Sequence, residues 1–277
     1  MRIATIATAG ALKDLQTLLW TIRQWHPDAE IFLGTDSETA AKLTDKNLHV
    51  RTILDAYTGL TRKDMEAMSG RKYPTLWHDF MMEKATVLEW ALDGAADGVW
   101  FLDADICLLA PLPPSIGELM LSPHMIRPVD ERRYGRFNGG FLWIKDRNIL
   151  DVWRRATYGS RFYEQAALED VWASVAEDRR AEFPIQDNFG WWRFLQSTDA
   201  PPVIQGRLGF NRTAPGVGLQ YDGAALRSIH THWEDASEFN QWIRSKLEFL
   251  ARSHVPAKAL LGHLSRLHGF KKPKHVQ

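Results

Sequence analysis

The first hundred residues alternate short apolar runs with segments of helical period, and this alternation limits the fold more than any other feature of the sequence. Arg2 to Thr8 is rich in Ile, Thr and Ala, whereas Leu12 to Trp25 carries Leu15, Leu18, Leu19 and Ile22 at helical spacing. Glu30 to Gly34 reads as a second strand closed by Thr35-Asp36-Ser37. A helix over Glu38 to Leu43 leads to a third strand at His49 to Leu54. Asp79 to Leu92 is a strong helix. After the turn at Gly94 to Gly98, Val99-Trp100-Phe101-Leu102 is an unbroken apolar run of buried-strand type. The pattern predicts an α/β fold, a single-domain mixed, mostly parallel sheet flanked by helices.

The second half is less regular. Gly139 to Ile144 reads as a strand, Asn148 to Tyr158 and Tyr163 to Glu177 as helices, and Asn188 to Gln196 as a helix. Pro202 to Gln205 and Ser228 to His232 read as strands, and Ser237 to Arg252 and Ala257 to His268 as helices. At 277 residues, 45% of them hydrophobic, the chain can bury a core without disulfides. Residues 1–243 are expected to form the catalytic domain and 244–277 a basic helical tail.

A single cysteine, Cys107, excludes a disulfide framework and a multi-cysteine zinc site. Met1 to Ala11 lacks the basic start and long apolar stretch of a signal peptide, and no segment approaches 18 uninterrupted apolar residues. A cytoplasmic protein is expected. Lys plus Arg and Asp plus Glu both number 34, which gives no argument for binding nucleic acid. From Arg244 onward, however, eight Lys or Arg residues, Lys271, Lys272 and Lys274 among them, face one acid, Glu248. This tail is a candidate for peripheral contact with an acidic membrane surface, or else a solvated helix and chain end.

Chemistry is expected where the strand at Val99 to Leu102 stops, because ligands of open parallel sheets sit beyond the carboxyl ends of the strands. Asp103-Ala104-Asp105 follows at once. Two carboxylates at i and i+2 project to one side of an extended chain and can hold a divalent cation between them and a diphosphate. Such a cation neutralises charge on a departing nucleotide diphosphate. Ser228-Ile229-His230-Thr231-His232 supplies alternating histidines, and an imidazole ligand favours manganese over magnesium. His230 and His232 both stand as candidate ligands. Each of these features also has a plain reading, as turn acids or as a surface histidine pair.

The run Val99 to Ile106, followed about thirty residues later by Phe137-Asn138-Gly139-Gly140-Phe141, resembles the retaining A-type glycosyltransferases related to glycogenin and the bacterial lipooligosaccharide galactosyltransferases. The resemblance implies that Asp103, Ala104 and Asp105 bind Mn2+ (or Mg2+) and the donor diphosphate, with Asn138, Gly139 and Gly140 against the donor sugar. It implies a UDP-linked donor, a glycan acceptor and retention at the anomeric carbon. The family has an acidic-Gln-Asp segment, and Ile185-Gln186-Asp187-Asn188 is similar to it, with Ile185 in place of the acid. There Gln186 is expected beside the anomeric carbon and Asp187 as the cap of the following helix. Tyr163-Glu164-Gln165-Ala166-Ala167-Leu168 is a rival match, with Gln165 or Glu164 in that role. Leu208-Gly209-Phe210-Asn211 resembles the segment ahead of the last metal ligand, and the motif order agrees along the chain.

Lys84, ahead of the acidic strand, stands where related enzymes set a basic residue against the nucleotide phosphates, or else is an exposed helix lysine. Thr8 and Asp36, at the ends of the first two strands, stand where base and ribose lie, or else are turn and cap residues. Among the twelve tryptophans, Trp77, Trp143, Trp191, Trp192 and Trp233 lie near the motifs as sugar-stacking candidates. Two other classes of function remain beside a transferase. One is a phosphatase with the first aspartate of the pair as nucleophile, and the other a binding module for sugar nucleotides or glycans without turnover.

Overall fold

The computed structural model describes residues 1–213 and 216–270, so Lys271, Lys272 and Lys274 of the basic tail lie outside the described residues. Along the chain the strands are β1 (Arg2–Ala7), β2 (Glu30–Thr35), β3 (Leu48–Arg51), β4 (Val99–Leu102), β5 (Ile106–Leu108), β6 (Leu119–Pro123) and β7 (Phe137–Ile144). They continue with β8 (Arg180–Glu182), β9 (Phe189–Gly190), β10 (Leu208–Phe210), β11 (Leu219–Tyr221), β12 (Ala224–Ala225) and β13 (Ser228–His230). The helices are α1 (Leu12–Trp25), α2 (Ser37–Ala40), α3 (Arg62–Ala67), α4 (Leu76–Leu92), α5 (Pro128–Tyr134) and α6 (Asn148–Thr157). Six more follow: α7 (Tyr163–Ala166), α8 (Leu168–Ser174), α9 (Trp192–Leu195), α10 (Pro201–Arg207), α11 (Glu238–Ala251) and α12 (Val255–His268).

Contacts divide these elements into two compact units, each assembled from three stretches of chain. The first comprises Met1–Leu12, Pro27–Ala104 and Pro113–Ile185 and holds a seven-stranded sheet in the order β3-β2-β1-β4-β7-β6-β8. The strands β3, β2, β1 and β4 run parallel, as the alternation of strands and helices requires, while β7 runs antiparallel to both neighbours. All four residues of β4 are buried, which is why that strand has no polar alternation. The core of this unit gathers Val87, Leu88 and Ala91 of α4, Leu121 and Leu142 of the sheet, Trp153 of α6, and Leu168 and Val171 of α8.

The second unit comprises Lys13–His26, Asp105–Leu112 and Gln186–Gln277. It has two small sheets, β5-β13-β9 and β10-β11-β12. Its buried residues include Leu18 and Ile22 of α1, Phe189 of β9, and Phe239, Ile243 and Leu250 of α11. The expected start of the basic tail at residue 244 falls inside α11. Among the described residues, no helix is long and apolar enough to cross a membrane.

Three expected elements differ from the structure. The helix expected over Tyr163 to Glu177 is two pieces, α7 and α8, joined at Ala167. The strand expected at Pro202 to Gln205 is helix α10, because Pro at the first helical positions presets the backbone angle and outweighs the β-branched pair Val203-Ile204. The helix expected over Asn188 to Gln196 begins instead as β9, whose Phe189 and Gly190 pair with Ile229 and His230. Only the short α9 remains, with Trp191 rather than Asp187 at its N-cap. Pairing with a distant strand has overridden the local preference.

Trp153 ties α6 to α7, its indole Nε1–H donating to the Glu164 carbonyl at 2.7 Å from a fully buried position. Replacing Trp153 with Phe removes the donor and leaves that carbonyl unsatisfied. Urea unfolding is expected to show a loss of about 1–3 kcal/mol with an unchanged slope; an unchanged midpoint would mean that the bond contributes nothing.

Candidate active site

The acids sit where the sequence predicts, directly after β4, and the division between the units falls between Ala104 and Asp105. One residue separates the two aspartates, so the chain itself keeps them together, while Asp103 pairs with Lys84 of the first unit and Asp105 with His230 of the second.

In the first unit the partner of Asp103 is Lys84. The sequence left this lysine open as an exposed helix residue, but it lies within α4 at 2% exposure. Its Nζ is 3.0 Å from Asp103 Oδ1 and 3.1 Å from Glu164 Oε1, and it donates to the Gly139 carbonyl at 3.2 Å. Burial alone would lower the pKa of this ammonium. Asp103 and Glu164 outweigh that effect and raise it, so Lys84 stays charged.

Gly139 reaches this cluster through an irregularity in β7. Pairing of β6 with β7 jumps from Leu121 opposite Leu142 to Ser122 opposite Asn138, while the Asp103 amide donates to the Gly140 carbonyl at 2.8 Å. A Cβ on Gly139 would stand 2.9 Å from Glu164 Oε1, so a side chain there would push that carboxylate away from its place beside Lys84. Asn138 is buried, and its Oδ1 accepts from the Gly140 amide at 3.0 Å.

Glu164 and Gln165 follow Tyr163, which holds a left-handed backbone with φ 47°. The Gln165 amide donates to the Tyr134 carbonyl at 2.9 Å, and its Oε1 accepts from the Gly139 amide at 3.4 Å. The rival segment of the sequence reading therefore lies beside Gly139 and Lys84. Gln186, the first choice, belongs to the second unit, where its amide donates to the Tyr221 carbonyl at 3.0 Å. Asp187 is not a helix cap. It is buried against Arg227 at 3.1 Å, and burial pushes its carboxyl up to about 6 despite Arg227 and Arg193.

Asp105 belongs to the second unit, where its Oδ1 is 3.1 Å from His230 Nε2. Burial would raise its carboxyl, but His230 and His232 prevail and hold it well below the ordinary range. His230 ends β13 and is buried, whereas more than half of the His232 side chain is exposed. His232 Nδ1 contacts Asp14 Oδ2 at 2.9 Å, and its Nε2 lies 3.6 Å from Asp105 Oδ2. The bond to Asp14, opposed by burial and aided by Asp105, pushes His232 up to about 9. Asp103, Asp105 and His230 can each offer one ligand atom to a metal ion.

Of the remaining candidates, Thr8 is half-buried at the end of β1, next to β4 in the sheet. Asp36 is fully buried, its oxygens accepting from the amides of Ala9 and Thr39 at 2.9 and 2.7 Å. It caps α2, and no part of it is open to a ribose. Trp143, Trp192 and Trp233 are buried core residues; Trp77 is half-buried and Trp191 is partly exposed. Sequence reasoning did not single out Asp14, which touches His232, or Asn188, which touches His230. Asp14 follows Lys13 and Asn188 follows Gln186-Asp187, so nothing in their local sequence marked them as buried.

No family model matches the chain, and no curated protein matches it by sequence. Solved structures do match. A galactosyltransferase, LgtC, in complex with donor and acceptor sugar analogs, superposes with TM-score 0.51 at 16% identity over 99% of this chain and 98% of that one. Mouse xyloside xylosyltransferase 1 gives TM-score 0.50 at 10% identity over 83% and 97%. The bifunctional glycosyltransferase WbbM gives 0.53 at 11% identity over 95% of this chain and 51% of that one. The protein thus has the A-type glycosyltransferase fold.

Lys84→Met leaves Glu164 buried without its cation and is expected to cost about 3–5 kcal/mol in chemical unfolding. Lys84→Met with Glu164→Gln is expected to recover part of that loss. A single variant as stable as the wild type would show that the buried ammonium is not a structural centre.

Proposed function

We propose that the protein is a metal-dependent glycosyltransferase that moves a sugar from a nucleotide diphosphate, UDP-linked, to a hydroxyl of a glycan acceptor with retention at the anomeric carbon. The observation that carries this reading is the ligand set Asp103, Asp105 and His230 at the end of β4 and β13, in a chain with the A-type fold. Two carboxylates and one imidazole suit Mn2+, with Mg2+ the weaker fit. A cation held there supplies Lewis-acid neutralisation of the leaving diphosphate.

The other roles fall to the chain's own residues. Lys84 keeps Asp103 in place as a fixed positive charge, and Asn138, Gly139 and Gly140 form the wall for the donor sugar. Gln165 is the group we assign to the reacting face of the donor, ahead of Gln186. Three observations support this choice: its contact with Gly139, the neighbouring Glu164-Lys84-Asp103 cluster, and the engagement of Gln186 with the Tyr221 carbonyl. The phosphatase reading has no support from a fold in which the acids follow the fourth strand. The non-catalytic reading makes the opposite prediction for transfer.

Two measurements test the proposal. A UDP-sugar donor with Mn2+ is expected to raise the melting temperature by mass action, and Asp105→Ala to abolish both that shift and sugar transfer or donor hydrolysis. Donor-induced stabilisation without any turnover would leave a binding module. Gln165→Ala is expected to lower turnover about 10²–10³-fold with donor binding retained, and Gln186→Ala to have a far smaller effect. The reverse ranking would return the role to Gln186.

A further inference from the structure

His230 is held on both sides by side chains of its own unit. Its Nε2 faces Asp105 Oδ1 at 3.1 Å, and its Nδ1 faces Asn188 Oδ1, also at 3.1 Å. Asn188 is fully buried and His230 is 5% exposed, so little water competes for these contacts. The backbone that carries this carboxamide is itself anchored. Arg193, buried in the same unit, donates through Nε to the Asn188 carbonyl at 2.9 Å, and Asn188 leads directly into β9, which pairs with β13.

The ring has a third support. Trp192 packs perpendicular to the His230 imidazole, with centroids 4.9 Å apart and planes at 82°. A Cβ on Gly190 would come within 2.1 Å of the Trp192 ring, so the absence of a side chain there admits the indole. The segment Asn188-Phe189-Gly190-Trp191-Trp192-Arg193 thus supplies an acceptor and an aromatic contact to one imidazole, and an anchor for the acceptor's own backbone.

We infer that Asn188 is a positioning residue that fixes the His230 ring and its tautomer, accepting a hydrogen bond from Nδ1–H so that the Nε2 lone pair is directed at the cation position beside Asp105. The physical reason is the inventory of donors. A carboxamide oxygen has only lone pairs to offer, so the nitrogen facing it must carry the proton. Nε2 then faces a carboxylate, and two acceptors 3.1 Å apart repel unless a proton or a metal ion lies between them. Partners of this kind orient metal-binding histidines and raise their affinity. The inference rests on the metal reading proposed above and adds a residue to it.

The experiment measures free Mn2+ by electron paramagnetic resonance during titration of the wild type, Asn188→Leu, Asn188→Asp and Asp105→Ala, with metal-free melting temperatures alongside. Leu removes the acceptor at similar size, and Asp retains it. Asn188→Leu is expected to weaken Mn2+ binding about 10–100-fold, and Asn188→Asp to restore it to within a few-fold of wild type. A merely structural role would lower the metal-free melting temperature and leave Mn2+ affinity unchanged, and that result overturns the inference. Wild-type Mn2+ binding that Asp105→Ala abolishes but Asn188→Leu spares removes Asn188 alone. If the wild type binds no Mn2+, or Asp105→Ala binds it equally, the metal reading falls and Asn188 with it. The 15N resonances of the His230 ring in the metal-free wild type give an answer even if the Leu variant does not fold. A protonated Nδ1 supports the assignment, and an unprotonated Nδ1 overturns it.

Discussion

A buried ammonium organises the first unit. Moving a lysine charge out of water costs several kcal/mol, repaid only by excellent geometry with its partners. Lys84 has that geometry, with two carboxylates and a carbonyl within 3.2 Å. These partners come from the end of β4, from α7 and from β7, and the cation itself comes from α4, so four elements converge on one atom. The left-handed Tyr163 is a local cost of about 1–3 kcal/mol for such a strained conformation, and the irregular pairing of β7 gives up regular ladder bonds. Both lie next to residues that face this ammonium, and the Trp153 bond to Glu164 secures the same turn from behind.

In the second unit the charge at issue is Asp105. Its partners are imidazoles, which can exchange a proton for a metal ion, whereas an ammonium cannot act as a ligand without losing its charge. Asp14 supplies His232 with a carboxylate of its own, and Asn188 offers His230 only a neutral oxygen. The two histidines therefore differ in kind. One is a partly exposed cation held by an acid, and the other a buried ring whose outer nitrogen is committed to a carboxamide. This contrast, rather than the alternation of the two residues along the chain, distinguishes the candidate ligand from its neighbour.

The parts of this arrangement that were legible in the sequence are those encoded over short spans. β1, β2, α4, β4 and the acid pair follow from period and apolar run length, and the histidines from spacing of two. What was not legible depends on partners far along the chain. The burial of Lys84 is decided by Asp103 and Glu164, and nothing within its own helix distinguishes it from a solvated lysine. β9 exists because Phe189 and Gly190 find β13, although Asn188 to Gln196 alone favours a helix. Gln186 was preferred over Gln165 on motif position, yet Ile185 already broke that match, while Glu164 keeps the acid before the glutamine. Only the ion pair with Lys84 gives that acid its meaning.

The asymmetry between the two aspartates bears on how a cation enters. Lys84 is sealed within the first unit and cannot be displaced, so Asp103 offers a carboxylate whose charge is already partly balanced. Asp105 faces the imidazoles of His230 and His232, groups that can turn a lone pair toward a metal ion. On the proposed reading a cation would be held by Asp105 and His230 together with Asp103, whose charge is already shared with Lys84. The retained ammonium then serves a second purpose. On the proposed reading, its pairing with Asp103 lowers the negative charge that the acid motif would turn toward a diphosphate.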